Sequence, residues 1–208
     1  VRLRPGWVLA GALALACAAS GCSSGSSVST SSTAAQASSS GFDGAALPPG
    51  VLAPAFALAD QRGQRVSLAQ QRGHVTVLAF VYSTCGAPCL VIAQQIRGAL
   101  DELPAPVPVL LVSVEPAADT AANVRRFLAR TSLTGRVSYL SGTPAQLRPV
   151  WHAFHVTAAR AHRAAFARTA SVFLIDAGGR ERVIFQLEQL TPEGLAHDIR
   201  KLLASSGA

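Results

Sequence analysis

Residues 75–96 read VTVLAFVYSTCGAPCLVIAQQI. Val75 to Tyr82 is an apolar, β-branched run, the signature of a strand buried on both faces. The helix that follows places Ile92, Ile96 and Leu100 on one side. Cys85 and Cys89 stand four apart where strand runs into helix. Helical residues at i and i+4 share a face, so both sulfurs are expected to point the same way, at the surface, from the first turn. Unpaired N–H groups and the positive dipole end there favour thiolate over thiol. Two adjacent thiolates make either a reducible disulfide or a soft-metal site, and the spacing leaves both open.

Outward from this stretch the chain alternates strands and helices. FALADQRGQRVSL (56–68) reads as a hairpin turning near Gln61-Arg62-Gly63. Val107 to Val114 is a second buried strand. Asp119 and Thr120 can cap a helix striped by Val124, Phe127 and Leu128. Val137 to Leu140 is a short strand, and Thr143-Pro144 opens a helix running through Leu147, Val150 and Trp151. Ser171 to Ile175 is a strand that Ala177-Gly178-Gly179 turns into Arg182–Phe185. Thr191-Pro192-Glu193 starts a last helix to about Leu203. This order predicts an α/β sandwich of three layers.

The 208 residues suit one globular domain plus tails, half of them hydrophobic and only 14% charged, so a core forms readily. The formal charge of +7 comes from scattered arginines, with no block of like charge that would suggest nucleic-acid binding. Two of four cysteines lie in the leader, leaving one pair in the body, too few for a disulfide-stapled scaffold.

The leader, residues 1–22, has a basic start at Arg2 and Arg4 and an apolar stretch from Trp7 to Ala19, too short to span a bilayer. It ends in Ala19-Ser20-Gly21-Cys22, which resembles a bacterial lipobox with Cys22 as the lipidated residue; Cys17 is a second candidate, and an ordinary signal cut nearby is the other reading. Each version places the body outside the cytoplasm, and the lipidated one anchors it to the outer face of the cytoplasmic membrane. Residues 23–50 open with the Ser-rich tract SSGSSVSTSSTAAQASSS and end at Leu47-Pro48-Pro49-Gly50. They read as a disordered tether. The domain is expected over 51–205.

Five stretches taken together, APAFALADQRGQRVSL, LAFVYSTCGAPC, VSVEPAADT, YLSGTPAQLRPVWHAFHV and SVFLIDAGGRERV, resemble the SCO/SenC family of thioredoxin-like proteins throughout residues 53–203. The resemblance implies a thioredoxin-like sandwich with a mixed central sheet and an N-terminal hairpin. It also implies a membrane-tethered copper protein that helps assemble the copper subunit of respiratory cytochrome oxidase, by delivering the metal or keeping its thiols reduced. In the family two cysteines and a histidine hold copper. The cysteines carry over to Cys85 and Cys89; the histidine falls on Arg168, which offers no lone pair to a metal.

Two soft thiolates suffice for Cu(I), whereas Cu(II) calls for an added imidazole. His162, six residues before Arg168, is the candidate substitute if a mobile loop carries it over the cysteines; a solvent-exposed histidine is the plainer reading. His152 and His155 read as ordinary residues flanking Trp151 and Phe154, and His74 and His197 as surface positions. Without metal, the pair reads as a thiol–disulfide couple at a Cα separation of ~5.5–6 Å, with Arg168 favouring thiolate. A binding module that has lost both chemistries is the third reading. Tyr82 stands where a peroxiredoxin needs threonine, and Ala170-Ser171 where a general thioredoxin needs a cis-proline, which disfavours both. Glu115 and Asp119 carry the family's acidic loop pattern; helix capping is the simpler role for Asp119.

Overall fold

The structure, a computed structural model, describes residues 40–158 and 163–206. Six strands form one sheet: β1 (Ala45–Ala46), β4 (Thr76–Val81), β5 (Val109–Ser113), β6 (Ser138–Leu140), β7 (Ser171–Ile175) and β8 (Glu181–Gln186), in the order β1-β8-β7-β4-β5-β6. β2 (Ala57–Ala59) and β3 (Arg65–Ser67) make the separate hairpin. The helices are α1 (Ala87–Glu102), α2 (Ala121–Arg130), α3 (Pro144–Ala153), α4 (Arg163–Thr169) and α5 (Pro192–Ser206).

β4, β5 and β6 run parallel, joined by the α1 and α2 crossovers, while β7 and β8 add antiparallel. Every residue of β4, β5 and β7 is buried, so both faces of the central sheet are covered, as their unbroken apolar runs require. α1 buries Cys89, Ile92, Ala93, Ile96 and Ala99, a helical stripe, with Leu100 only at its margin. α1 meets α5 closely: a Cβ on Gly98 would lie 2.8 Å from Pro192 Cβ. Phe56, Phe80, Phe154 and Phe173 pack at centroid distances of 5.3–6.1 Å, edge-on except for the tilted Phe80–Phe154 pair, joining the hairpin side to β4, β7 and the end of α3.

The hairpin turn is where the sequence places it. Asp60 accepts the N–H groups of Arg62 and Gln64, both at 2.8 Å. Burial opposes its charge, but these bonds and the Arg62 guanidinium hold its carboxyl below the ordinary value. Gln61 then covers the exposed edge of β6, donating to Val137 O and accepting from Tyr139 N at 3.1 and 2.7 Å. Thr143 caps α3 in a reciprocal box with Gln146, with Pro144 in the first turn.

Two elements depart from expectation. Ala45–Ala46, within the stretch read as disordered tether, pair with Ile184 and Val183 of β8. Gly44 admits this approach, since a Cβ there would lie 2.5 Å from Val183 Cγ1. The anchor is Asp198 of α5, fully buried, whose two oxygens accept the N–H groups of Asp43 and Gly44 at 2.9 Å each. The second departure is α4, a helix where a mobile loop was expected. Cys22, Cys17 and His162 lie outside the described residues. Among the described residues no helix is long and apolar enough to cross a membrane.

Removing the Asp198 clamp should loosen β1 selectively. Asp198→Ala should lower unfolding stability by about 2–3 kcal/mol and Asp198→Asn by roughly half as much, measured by urea denaturation. Amide hydrogen exchange should rise first over residues 43–47.

Candidate functional site: a cysteine pair at the strand ends

The cysteines sit at the carboxyl ends of the parallel strands, where open α/β sheets place their sites. After β4, Cys85 N–H donates to Tyr82 O at 3.0 Å, closing a tight turn. Asp119 fixes that turn. Its Oδ1 accepts Ser83 N–H at 2.6 Å, and its Oδ2 accepts the hydroxyls of Tyr139, at 2.8 Å, and Ser113. One carboxylate thereby joins the ends of β4, β5 and β6. Burial, and then this neighbouring charge, push the Tyr139 phenol well above its ordinary value, so it stays protonated and donates. Asp119 is not the helix cap expected of it. Thr120 caps α2, its side chain accepting Asn123 N–H, which frees Asp119 for the strand ends. Trp151 Nε1 adds a bond to Ser113 O at 2.8 Å.

Cys85 and Cys89 are joined in a disulfide with Cα atoms 5.7 Å apart, the separation expected. The surroundings differ from expectation in two respects. Cys85 precedes the helix, which begins at Ala87 after a Gly86 N-cap, so the pair is a loop residue and a helix residue rather than two of one helical face. Gly86 has no side chain to cap with, and the orphan N–H of Cys89 donates instead to Cys85 Sγ at 3.3 Å. That bond and the helix dipole favour charge on the Cys85 sulfur once the disulfide opens. The pair is also not presented outward. Cys89 is fully buried and Cys85 retains 4% exposure. A cleft of about 170 Å³ lined by Ser83, Thr84, Cys85, Asn123, Arg126, Phe127 and Arg130 reaches Cys85 and not Cys89.

Arg168 is not beside the sulfurs. On α4, Phe166 is buried with its ring edge-on to Tyr82 at 5.6 Å, facing the cysteine turn. Two residues further round a helix is about 200°, so Arg168 projects to the far side. There it lines a cavity of about 450 Å³ with Leu52, His155, Glu181 and Gln186 that includes neither cysteine. His155 occupies the left-handed C′ position after α3 (φ 55°), with Val156 N–H returning to Trp151 O. Burial raises the Glu181 carboxyl above its ordinary value, against the pull of His155. His152 and His74 are exposed.

No local pattern marks the Asp43, His197 and Asp198 cluster, in which His197 Nδ1 lies 2.9 Å from Asp198 and 3.3 Å from Asp43. Among the described residues it is the one group of three metal-capable side chains, and it excludes the cysteines. Asp198 is already committed there to backbone N–H groups. Once reduced, the cysteine pair therefore offers two soft donors with no imidazole grouped with them among the described residues, a set that fits Cu(I) and falls short of the three ligands Cu(II) needs.

The sequence profile of the SCO1/SenC family matches residues 45–204. Among solved structures, copper-bound ScoI of Bradyrhizobium japonicum is 25% identical over 73% of this chain and 99% of its own, with a TM-score of 0.55. Apo Sco1 of Thermus thermophilus is 22% identical over 77% and 96%, TM-score 0.63. The thioredoxin domain of a thiol-disulfide oxidoreductase from Bacteroides vulgatus is 15% identical over 74% and 97%, TM-score 0.56. At those identities the last two bear on the fold, which is thioredoxin-like. No curated protein sequence matches the chain significantly. With the profile spanning the whole sheet, both cysteines and all but the last two residues of α5, the chain belongs to the SCO1/SenC family.

Proposed function

We propose that this domain carries Cu(I) as cargo for assembly of the copper centre of a respiratory cytochrome oxidase, holding it between the thiolates of Cys85 and Cys89. The observation that carries this reading is the donor set: two cysteines 5.7 Å apart at Cα, fixed by the β4 turn and α1, in a family with a copper-bound member 25% identical. The work begins when a reducing dithiol of a partner opens the disulfide by exchange, leaving Cys85 and Cys89 as two thiols and the partner's own two thiols joined in a disulfide. The Cys89 N–H and the α1 dipole then favour the thiolate at Cys85. Soft, two-coordinate sulfur ligation suits Cu(I) and leaves it transferable to a partner with more ligands. The leader reading extends the proposal: lipidation at Cys22 would tether the domain to the outer face of the cytoplasmic membrane, within reach of a membrane-embedded oxidase.

A second reading is favoured by the closed disulfide and by Arg168. Here Cys85 and Cys89 exchange electrons with partner thiols and hold no metal, and the arginine at the family's histidine position marks the loss of the third ligand.

Anaerobic Cu(I) titration of the reduced protein against a competing chelator separates the two. One equivalent bound by the wild type and none by the Cys85→Ser/Cys89→Ser variant is the expected result. No binding by the reduced wild type, with a reduction potential in the range of exchanging dithiols, would assign the protein to the second reading.

Arg168→His offers an independent check. Because α4 turns position 168 away from the sulfurs, this variant should bind Cu(II) within about twofold of the wild type. A gain of tenfold or more, the scale on which a metal's supporting groups act, would mean that α4 swings round to serve the metal.

A further inference from the structure

Cys85 shares its cleft with two arginines. Arg126 and Arg130, one turn apart on α2, both line it, as do Ser83, Thr84 and Asn123, and no acidic side chain does. Five guanidinium groups, those of Arg62, Arg97, Arg136, Arg182 and Arg200, each pair with a carboxylate within 3.2 Å. Arg126 and Arg130 have no such partner among the described residues; what sets them apart from the other unpaired arginines is that both line the cleft that reaches Cys85. Asp119, on the loop before α2, is occupied by Ser83, Ser113 and Tyr139. Asn123 is held by its amide nitrogen on Ala118 O at 2.9 Å, and its oxygen steadies Arg126 Nη1 at 3.3 Å. Arg130 in the last turn of α2 also complements the helix dipole, but that role does not require it to line the cleft that reaches a sulfur.

We infer that this cleft recognises an acidic, cysteine-bearing segment of a partner protein, with Arg126 and Arg130 receiving carboxylates that flank the partner's thiol while that thiol meets Cys85. The inference rests on the proposed function, in which Cys85 and Cys89 work as a pair, and on Cys85 being the sulfur the cleft reaches. It adds the kind of partner and the side from which it comes. Two guanidinium groups without a carboxylate partner on one side of a sulfur favour a negatively charged visitor and repel a basic one. The cleft also sets the order of exchange. An incoming thiolate attacks Cys85 Sγ, the Cys85–Cys89 bond breaks, and Cys89 leaves as the thiolate and takes a proton. A second thiolate of the visitor then displaces Cys85, so the chain gains two electrons and the visitor's two thiols become one disulfide. In the metal-handling version the same carboxylates would bring the receiving thiols to the same sulfur.

The test uses short dithiol peptides with glutamate, glutamine or lysine flanking the cysteines, reacted with the oxidised protein, the rates being corrected for each peptide's thiolate fraction. At low salt the glutamate peptide should react about five- to tenfold faster than the glutamine one, and the lysine peptide more slowly still. The gap should close at high salt and in Arg126→Gln/Arg130→Gln. Arg125→Gln, on the same helix but outside the cleft, should keep it. Equal corrected rates for the glutamate and glutamine peptides, or a preference that survives the double variant, would overturn the inference. Cu(I) titration of the same variants distinguishes the two failures. Equal glutamate and glutamine rates in the wild type, or a preference kept by the double variant, with copper binding intact refute the docking site alone, whereas copper binding absent from the wild type refutes the cargo reading alone.

Discussion

The Asp119 carboxylate is the constraint on which the site depends. Parallel strands end in unpaired backbone and need something to hold their loops in one arrangement. Here a single carboxylate accepts Ser83 N–H after β4, the Ser113 hydroxyl at the end of β5 and the Tyr139 hydroxyl of β6. Bonds to a charged acceptor are worth on the order of 1.5–3 kcal/mol each, so the three together outweigh the entropy of the few residues they order. The turn that carries Cys85 is thereby registered against the sheet rather than left to the loop. Cys89, fixed independently by the buried stripe of α1, then meets it at bonding distance. Two rigid supports of different origin define the cysteine pair.

The same rigidity explains why position 168 stands apart. α4 is only seven residues long and has little stability of its own. What orients it is Phe166, buried against Tyr82 in the turn that Asp119 holds. A bulky aromatic on the cysteine side commits the opposite side of a short helix to the cavity shared by His155 and Glu181. Arg168 consequently acts on the sulfurs neither as ligand nor as neighbouring cation. The positive charge beside Cys85 comes from α2 instead.

Much of this architecture was legible in the sequence because burial leaves a mark there. β4, β5 and β7 are continuous apolar runs, and Thr143-Pro144 announces the start of α3 by cap chemistry. The hairpin turn is written in Asp60 to Gly63. The cysteine spacing foretold the Cα separation but not the surroundings, because four residues can be spanned by one helical turn or by a loop leading into a helix, and Pro88 beside a Gly86 cap chose the second. β1 is two alanines held by a carboxylate more than 150 residues away in sequence, so no local pattern could disclose it. α4 lacks a periodic apolar stripe, with Phe166 as its one fully buried aromatic. Arg126 and Arg130 look like any solvated helix face until the fold sets Cys85 beside them.

Burial makes the two sulfurs unequal, and the inequality bears on any chemistry assigned to them. Cys89 is sealed into the α1 interface, so a visitor meets Cys85 first. A thiol that reaches Cys85 finds a leaving group already next to it and a cationic rim that attracts its own negative charge. A metal ion must likewise arrive from the Cys85 side and depart by it. Exchange and metal transfer thus share one doorway, and the redox state of the pair decides which traffic passes: the closed disulfide offers a visitor only a sulfur to attack, while the opened pair offers two donors. A single cleft with Arg126 and Arg130 at its edge can serve both, because the partner that brings thiols to exchange and the partner that offers thiolates to the metal each carry negative charge next to sulfur.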